Sequence, residues 1–198
     1  MNMLHYFVVK LDKLLQDEIK LGDQNIYMET KFNEFEHRVC QGEVVSVPKK
    51  YDTPVKVGDT LYFHHLVVIN GGMPFADREG EYLVSYDPDV TINCHAFAYT
   101  PKGEDDVIPL SMWSILRPHQ EEIVDRTQLW TEVRLKDADP DRGVLAYRTY
   151  MHKDLGIEEG DVVVFPSKLR YDFKVNDETM YRVRTEDLLY VQKAIHHD

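Results

Sequence analysis

Four side chains suited to metal binding stand in two adjacent pairs, His64-His65 and Cys94-His95. Neutral imidazole and thiolate are good zinc ligands. Both pairs fall in stretches that read as strand, "DTLYFHHLVVI" at 59–69 and "TINCHAFAY" at 91–99. Neighbouring strand residues point to opposite faces, so each pair can turn only one ligand inward. The residues are therefore read as ordinary half-buried strand positions, with no metal and no cofactor. A metallohydrolase built on His64, His65, Cys94 and His95 is the reading this displaces. His196-His197 reads as a solvated tail. Catalytic signatures are missing: the sequence has no G-x-S-x-G, no Walker A motif and no H-E-x-x-H. The acidic stretches "GEDD" at 103–106 and "DADPD" at 137–141 read as turns. The expectation is a protein that is not an enzyme.

A second kind of chemistry, docking, is suggested by Ile26-Tyr27-Met28. This apolar triplet lies between Gly22-Asp23-Gln24-Asn25 and Glu29-Thr30-Lys31, both of which read as loop. Something must cover such a triplet. Either it is a short strand packed on its own domain, or another protein buries it. Phe32 and Phe35 belong to the same segment or anchor it.

Composition narrows the class. The chain has 198 residues and a net charge of −12, with no basic cluster to offset it, so nucleic acid is repelled. No run of about 18 apolar residues occurs, so no helix is expected to span a membrane. The opening "MNMLHYFVVKLDKLLQDE" is too charged for a secretory signal. Two cysteines, Cys40 and Cys94, do not make a disulfide framework, and a reducing cytoplasm is the expected compartment.

The elements that would position these residues are strands. "HYFVVKLD", "GEVVSVP", "GEYLVSY", "SMWSILRP", "TQLWTEVRL", "GVLAYRTY", "GDVVVFP", "YDFKVN", "TMYRVR" and "DLLYVQKA" are β-branched, aromatic and separated by Gly, Pro-Asp and Asn-Asp turns. Short strands at this spacing predict an all-β fold of the barrel or sandwich kind. One short helix is expected over "DKLLQDEI" at 12–19. The chain also repeats itself. "GEVVSV" followed by "VKVGDTLYF" matches "GVLAYR" followed by "IEEGDVVVF". Each copy carries a turn signature, Gly58-Asp59 and Gly160-Asp161, in which glycine permits positive φ and aspartate caps the turn. The closing strands are read as "MWSILRP" and "EDLLYVQ", with the seam in "PHQEEIVD". Two domains follow, 1–118 and 119–198.

The opening "MNMLHYFVVKLDK", the G-E-V strand followed by V-K-V-G-D, and the final "YRVRTEDLLYVQK" resemble the GroES (chaperonin-10) co-chaperonin family. The resemblance covers most of both halves and implies two tandem small GroES-like β-barrels. In that family a mobile loop between the first strand and the G-E-V strand carries a tripeptide that docks on the large chaperonin. Here the loop falls at about 15–39 and the tripeptide at Ile26, Tyr27 and Met28; Tyr27 departs from the aliphatic pattern. Only "PKKYDTP" occupies the place of the family's roof hairpin. The first domain is read as carrying an insertion at about 70–106. The second is read as smaller and without a mobile loop, since "RLKDADPDRGV" runs from strand to strand. The two-domain form is similar to phage-encoded or environmental co-chaperonins.

The resemblance implies a co-chaperonin that caps a GroEL-type, ATP-bound chaperonin ring through the loop and encloses an unfolded protein substrate. It further implies a homo-oligomeric ring, read as a heptamer, in the cytoplasm, which is the host's if the source is viral. The rival class is a non-enzymatic β-barrel structural or adaptor protein of a viral or other assembly.

Overall fold

The hydrophobic alternation is realised as strands joined in antiparallel sheets. A computed structural model describes residues 3–11, 18–21, 24–27, 39–69, 73–74, 78, 80–89, 94–110, 112–126, 131–135, 137–176 and 178–193. Two compact units divide the chain, residues 1–110 and 111–198.

The first unit is built from β1 (Tyr6–Lys10), β2 (Glu18–Leu21), β3 (Gln24–Tyr27), β4 (Gln41–Ser46), β5 (Thr60–Phe63), α1 (Leu66–Ile69), β6 (Met73–Pro74), β7 (Glu81–Ser85), β8 (Ala96–Thr100) and β9 (Ile108–Pro109). The second comprises β10 (Trp113–Pro118), β11 (Glu122–Arg126), β12 (Thr131–Leu135), β13 (Arg142–Leu145), α2 (Tyr150–Asp154), β14 (Val162–Val164), β15 (Tyr171–Val175), β16 (Glu178–Arg184) and β17 (Tyr190–Gln192).

The main sheet of the first unit runs β6-β7-β1-β4-β5-β8-β9, and that of the second runs β15-β16-β10-β13-β14-β17. Apart from β9, which has no counterpart among the described residues, these are one arrangement used twice. β10 stands for β1, β13 for β4, β14 for β5, β15 for β6, β16 for β7 and β17 for β8. Registers agree as well: Val9 faces Val44 and Lys10 faces Glu43, while Leu116 faces Leu145 and Arg117 faces Val144. The sheets are open, since no pairing between their edge strands occurs among the described residues.

This equivalence corrects three expectations. "SMWSILRP" does not close the first domain. As β10 it pairs with β13 and β16, so it opens the second unit, and the division lies at 110/111 rather than 118/119. The segment 70–106 is not an added piece, because it supplies β6, β7 and β8, the counterparts of β15, β16 and β17. The second unit does carry an excursion between its first strand and the G-x-x strand: the hairpin β11–β12 sits where β2–β3 sits in the first. The expected helix at 12–19 also yields in part, for Glu18 and Ile19 lie in β2, while 12–17 are outside the described residues. "DTLYFHHLVVI" is strand only to Phe63 and then turns into α1.

Each unit has its own apolar core. Phe7, Val9, Val44, Leu61, Phe63, Val84 and Ala96 are buried together in the first. Leu116, Leu145, Ile157, Val163, Phe165, Tyr181 and Val183 fill the second. Equivalent positions do the same work: Val9 and Leu116, Val44 and Leu145, Phe63 and Phe165 are all buried.

Candidate functional site

Two turns hold the frame from which the hairpins leave. Gly58 (φ +93°) and Gly160 (φ +89°) take the left-handed conformation that glycine alone reaches without strain. Asp59 accepts the Lys56 N–H at 2.7 Å, and Asp161 accepts the Glu158 N–H at 2.8 Å. Each turn is then stitched to the G-x-x strand twice. The Gly58 N–H donates to Val44 O and the Val44 N–H to Asp59 O, both at 2.8 Å. The Gly160 N–H donates to Leu145 O and the Leu145 N–H to Asp161 O, both at 2.9 Å. Both aspartates are buried, as a capping carboxylate with backbone donors can be. A further bond fixes where each excursion rejoins the sheet, from the Phe63 N–H to Cys40 O and from the Phe165 N–H to Asp141 O.

In the first unit, the segment expected to dock is a hairpin rather than a plain loop. Glu18 faces Tyr27, Ile19 faces Ile26, Lys20 faces Asn25 and Leu21 faces Gln24, and the pair forms a sheet of its own. Gly22 and Asp23, between the two strands, lie outside the described residues. Strand alternation separates the triplet. The Ile26 position shares a face with Ile19 and Leu21, and the Tyr27 position falls on the other. Met28, Phe32 and Phe35 lie outside the described residues. The sequence signal that could have revealed this hairpin is the alternation of Ile19 and Leu21 with charged neighbours, followed by Gly-Asp.

The neck of the second hairpin is clasped. His119 follows β10 and Asp139 precedes β13; the Asp139 N–H donates to His119 O at 2.9 Å, and His119 Nδ1 lies 3.0 Å from Asp139 Oδ2. Arg142 Nη1 and Glu121 Oε1 approach to 3.9 Å beside them.

The candidate metal ligands do not converge. The alternation argument fails for His64 and His65, because β5 has ended at Phe63 and their rings stack with centroids 4.6 Å apart. His64 Nδ1 accepts the Leu66 N–H at 3.3 Å, His95 Nδ1 is 3.0 Å from Ser85 Oγ, and the Cys94 thiol donates to Ala96 O. Among the described residues, no three His, Cys, Asp or Glu side chains are grouped to hold a metal ion.

A polar cluster that the sequence gave no reason to expect lies inside the second unit. His152 on α2 is fully buried, with Nε2 2.7 Å from Ser114 Oγ on β10; Ser114 in turn lies 3.0 Å from Thr185 Oγ1. The spacing is that of a nucleophile and its base, but the proton is on the wrong nitrogen. The Thr149 N–H donates to His152 Nδ1 at 3.0 Å, so the neutral ring carries its proton on Nε2 and donates to Ser114. Burial, with the Arg148 guanidinium adding to it, pulls the His152 pKa down to about 4 and keeps the ring neutral. Ser114 has no exposed surface. The cluster ties α2, β10 and the turn before β17 together through hydrogen bonds, and it is not arranged as a catalytic pair.

No protein-family model matches the sequence, and no curated protein matches it. No helix among the described residues is long and apolar enough to cross a membrane.

Proposed function

We propose that the protein is a co-chaperonin of the GroES kind, in which each open sheet is the wall of a small barrel and the β2–β3 hairpin docks on an ATP-loaded large chaperonin ring. The observation that carries this reading is the hairpin itself. It leaves the frame between strands β1 and β4, which neighbour each other in the main sheet, forms a separate two-stranded sheet among the described residues, and sets Ile19 across from Ile26 in register. The V-K-V-G-D turn closing beside the G-E-V strand supports the family resemblance at the point where the resemblance is most specific.

The docking energetics suit a lid that must come off. Each aliphatic side chain buried in the partner contributes roughly 1.5–3 kcal/mol. A two-stranded hairpin alone is marginal in water, so ordering it offsets much of that gain. One arm therefore binds weakly, and a ring of arms gains avidity of about 10² to 10⁴. The chain forms such a ring, read as seven-fold, in the cytoplasm, binds no ATP itself and encloses substrate under an acidic wall.

The test is co-migration of the purified protein with a bacterial large chaperonin, with and without ATP, on native size exclusion. Wild type is expected to shift into the complex only with ATP, and Ile26→Asp to lose the shift. Absence of any shift for wild type, or full binding by Ile26→Asp, Tyr27→Asp and Met28→Asp alike, overturns the reading in favour of a structural or adaptor protein.

A further inference from the structure

We infer that α2 is an acid-released latch: it is fastened to the second unit through the neutral imidazole of His152 and lets go when that ring is charged, while the sheet beneath it stays formed. The latch does not depend on the co-chaperonin reading. Its first requirement is a single anchor. His152 is the buried residue of α2; Met151 is half-buried, and Tyr150, Lys153, Asp154, Leu155 and Gly156 are exposed. The segment is otherwise held at its two ends, where the Ala146 N–H donates to Ile115 O and Ile157 enters the core.

The second requirement is that both ring nitrogens are committed, in opposite senses. Nδ1 accepts the Thr149 N–H at 3.0 Å, and Nε2 donates to Ser114 Oγ at 2.7 Å, which in turn reaches Thr185 Oγ1. His152 thus takes the place that Glu or Gln fills in a capping box. A second proton must go to Nδ1, where it would point at the Thr149 N–H. One protonation event therefore breaks the cap of α2 and leaves a cation in its only anchor.

The third is that nothing around the ring compensates the charge. Among the described residues no carboxylate bonds to it. Before α2 stands Arg148, which disfavours a second cation and is itself paired with Glu158 at 2.7 Å. On the turn before β17, Glu186 is paired with Arg184 at 3.2 Å, and Asp187 is half-buried. After β17, Lys193 is paired with Asp161 at 2.8 Å. The neighbours of Ser114 on β10, Trp113 and Ile115, are uncharged. A buried, uncompensated cation is costly, so the ring goes to water and takes the helix with it. The docked ring titrates at about 4 and a released one near 6.5, so release is unaffected above pH 6.5 and grows as the pH falls towards 4, by about 10²-fold.

The experiment is hydrogen exchange on the full chain at pH 7 and pH 4, corrected for the intrinsic rate. The amides of Lys153, Leu155 and Gly156, which donate to Thr149 O, Met151 O and Lys153 O, are compared with those of Leu145 and Ala146, which donate to Asp161 O and Ile115 O. The α2 amides should be the less protected set at both pH values, and their protection should fall about 10²-fold on acidification. His152→Gln, which keeps an acceptor for the Thr149 N–H but cannot be charged, should remove that fall. Ser114→Ala, which takes away the partner of Nε2, should lower α2 protection already at pH 7. Protection of the α2 amides equal to that of Leu145 and Ala146 means that release requires unfolding of the unit, and overturns the latch. So does wild-type α2 protection that is the same at both pH values, a folded His152→Gln chain that keeps the fall, or a folded Ser114→Ala chain with wild-type protection. The wild-type comparison decides by itself if neither variant folds.

Discussion

Asp59 offers the sharpest test of the repeated frame. It is only 5 % exposed, and its two carboxylate oxygens each accept a backbone donor, Oδ2 from the Lys56 N–H at 2.7 Å and Oδ1 from the Lys102 N–H at 3.0 Å. Asp59→Asn keeps the shape but replaces one acceptor by an NH₂ group that points at an N–H. One backbone donor is then buried without a partner, at a cost of roughly 1–3 kcal/mol. Asp59→Ala leaves both donors unpartnered, at roughly twice that cost. Urea unfolding followed by far-UV circular dichroism should show a loss of about 2 kcal/mol for the Asn variant and about 4 for the Ala variant. Hydrogen exchange adds a specific signature: in the Asn variant only one of the Lys56 and Lys102 amides should lose protection. Asn stability within about 0.5 kcal/mol of wild type, or equal protection of both amides, would refute the claim that this carboxylate holds the turn to the end of β8.

Three further outcomes are expected. His152 titrates near 4 in the folded chain against an ordinary 6.5, so its contribution is intact above about pH 6.5 and is lost as the pH falls towards 4. The loss amounts to roughly 3 kcal/mol, and His152→Phe should flatten that part of the profile. Tryptophan fluorescence is the probe, because Trp113 and Trp130 both lie in the second unit. Gly143→Ala should cost about 1–3 kcal/mol, since a Cβ there would meet Leu116 Cβ at 2.8 Å and the Arg117 carbonyl at 3.2 Å. Gly160→Ala, with open space but φ +89°, should cost about 1–2 kcal/mol from backbone strain alone, and thermal unfolding of the two variants distinguishes crowding from strain.

The sequence made the strand content and the Gly-Asp turns readable because both depend on local patterns: alternation over five or so residues, and a glycine followed by a capping carboxylate. Strand partnership is not local. "MWSILRP" looks equally good as a last strand or a first one, and only its pairing with Val144 and Val183 neighbours decides. That one reversal produced both the spurious insertion and the missing second hairpin, since shifting β10 by one place slides the whole repeat. Helices α1 and α2, of four and five residues, are too short for a 3.6-residue period to register. The His152 cluster was illegible for another reason: Ser114 and Thr185 are ordinary strand and turn residues until the fold brings them within 3.0 Å of each other. At the proposed docking segment the triplet of residues was visible, but the placing of Ile26 and Tyr27 on opposite faces of a hairpin needed the register with Glu18 and Ile19.

The strand order also governs how the chain comes to be folded. In each unit the strand made first sits in the middle of the sheet and waits for a distant partner: Tyr6 pairs with Ser85, and Trp113 with Arg184. Local hairpins close within microseconds, whereas contacts so far apart along the chain must first overcome loop closure and form slowly. On a ribosome the hairpins β2–β3 and β11–β12 can therefore form before the sheets that carry them, and the second sheet cannot be completed until nearly the whole chain has emerged. During that interval β10 stands without β13 and β16, and its unpaired edges are the part of the emerging chain most open to a wrong partner.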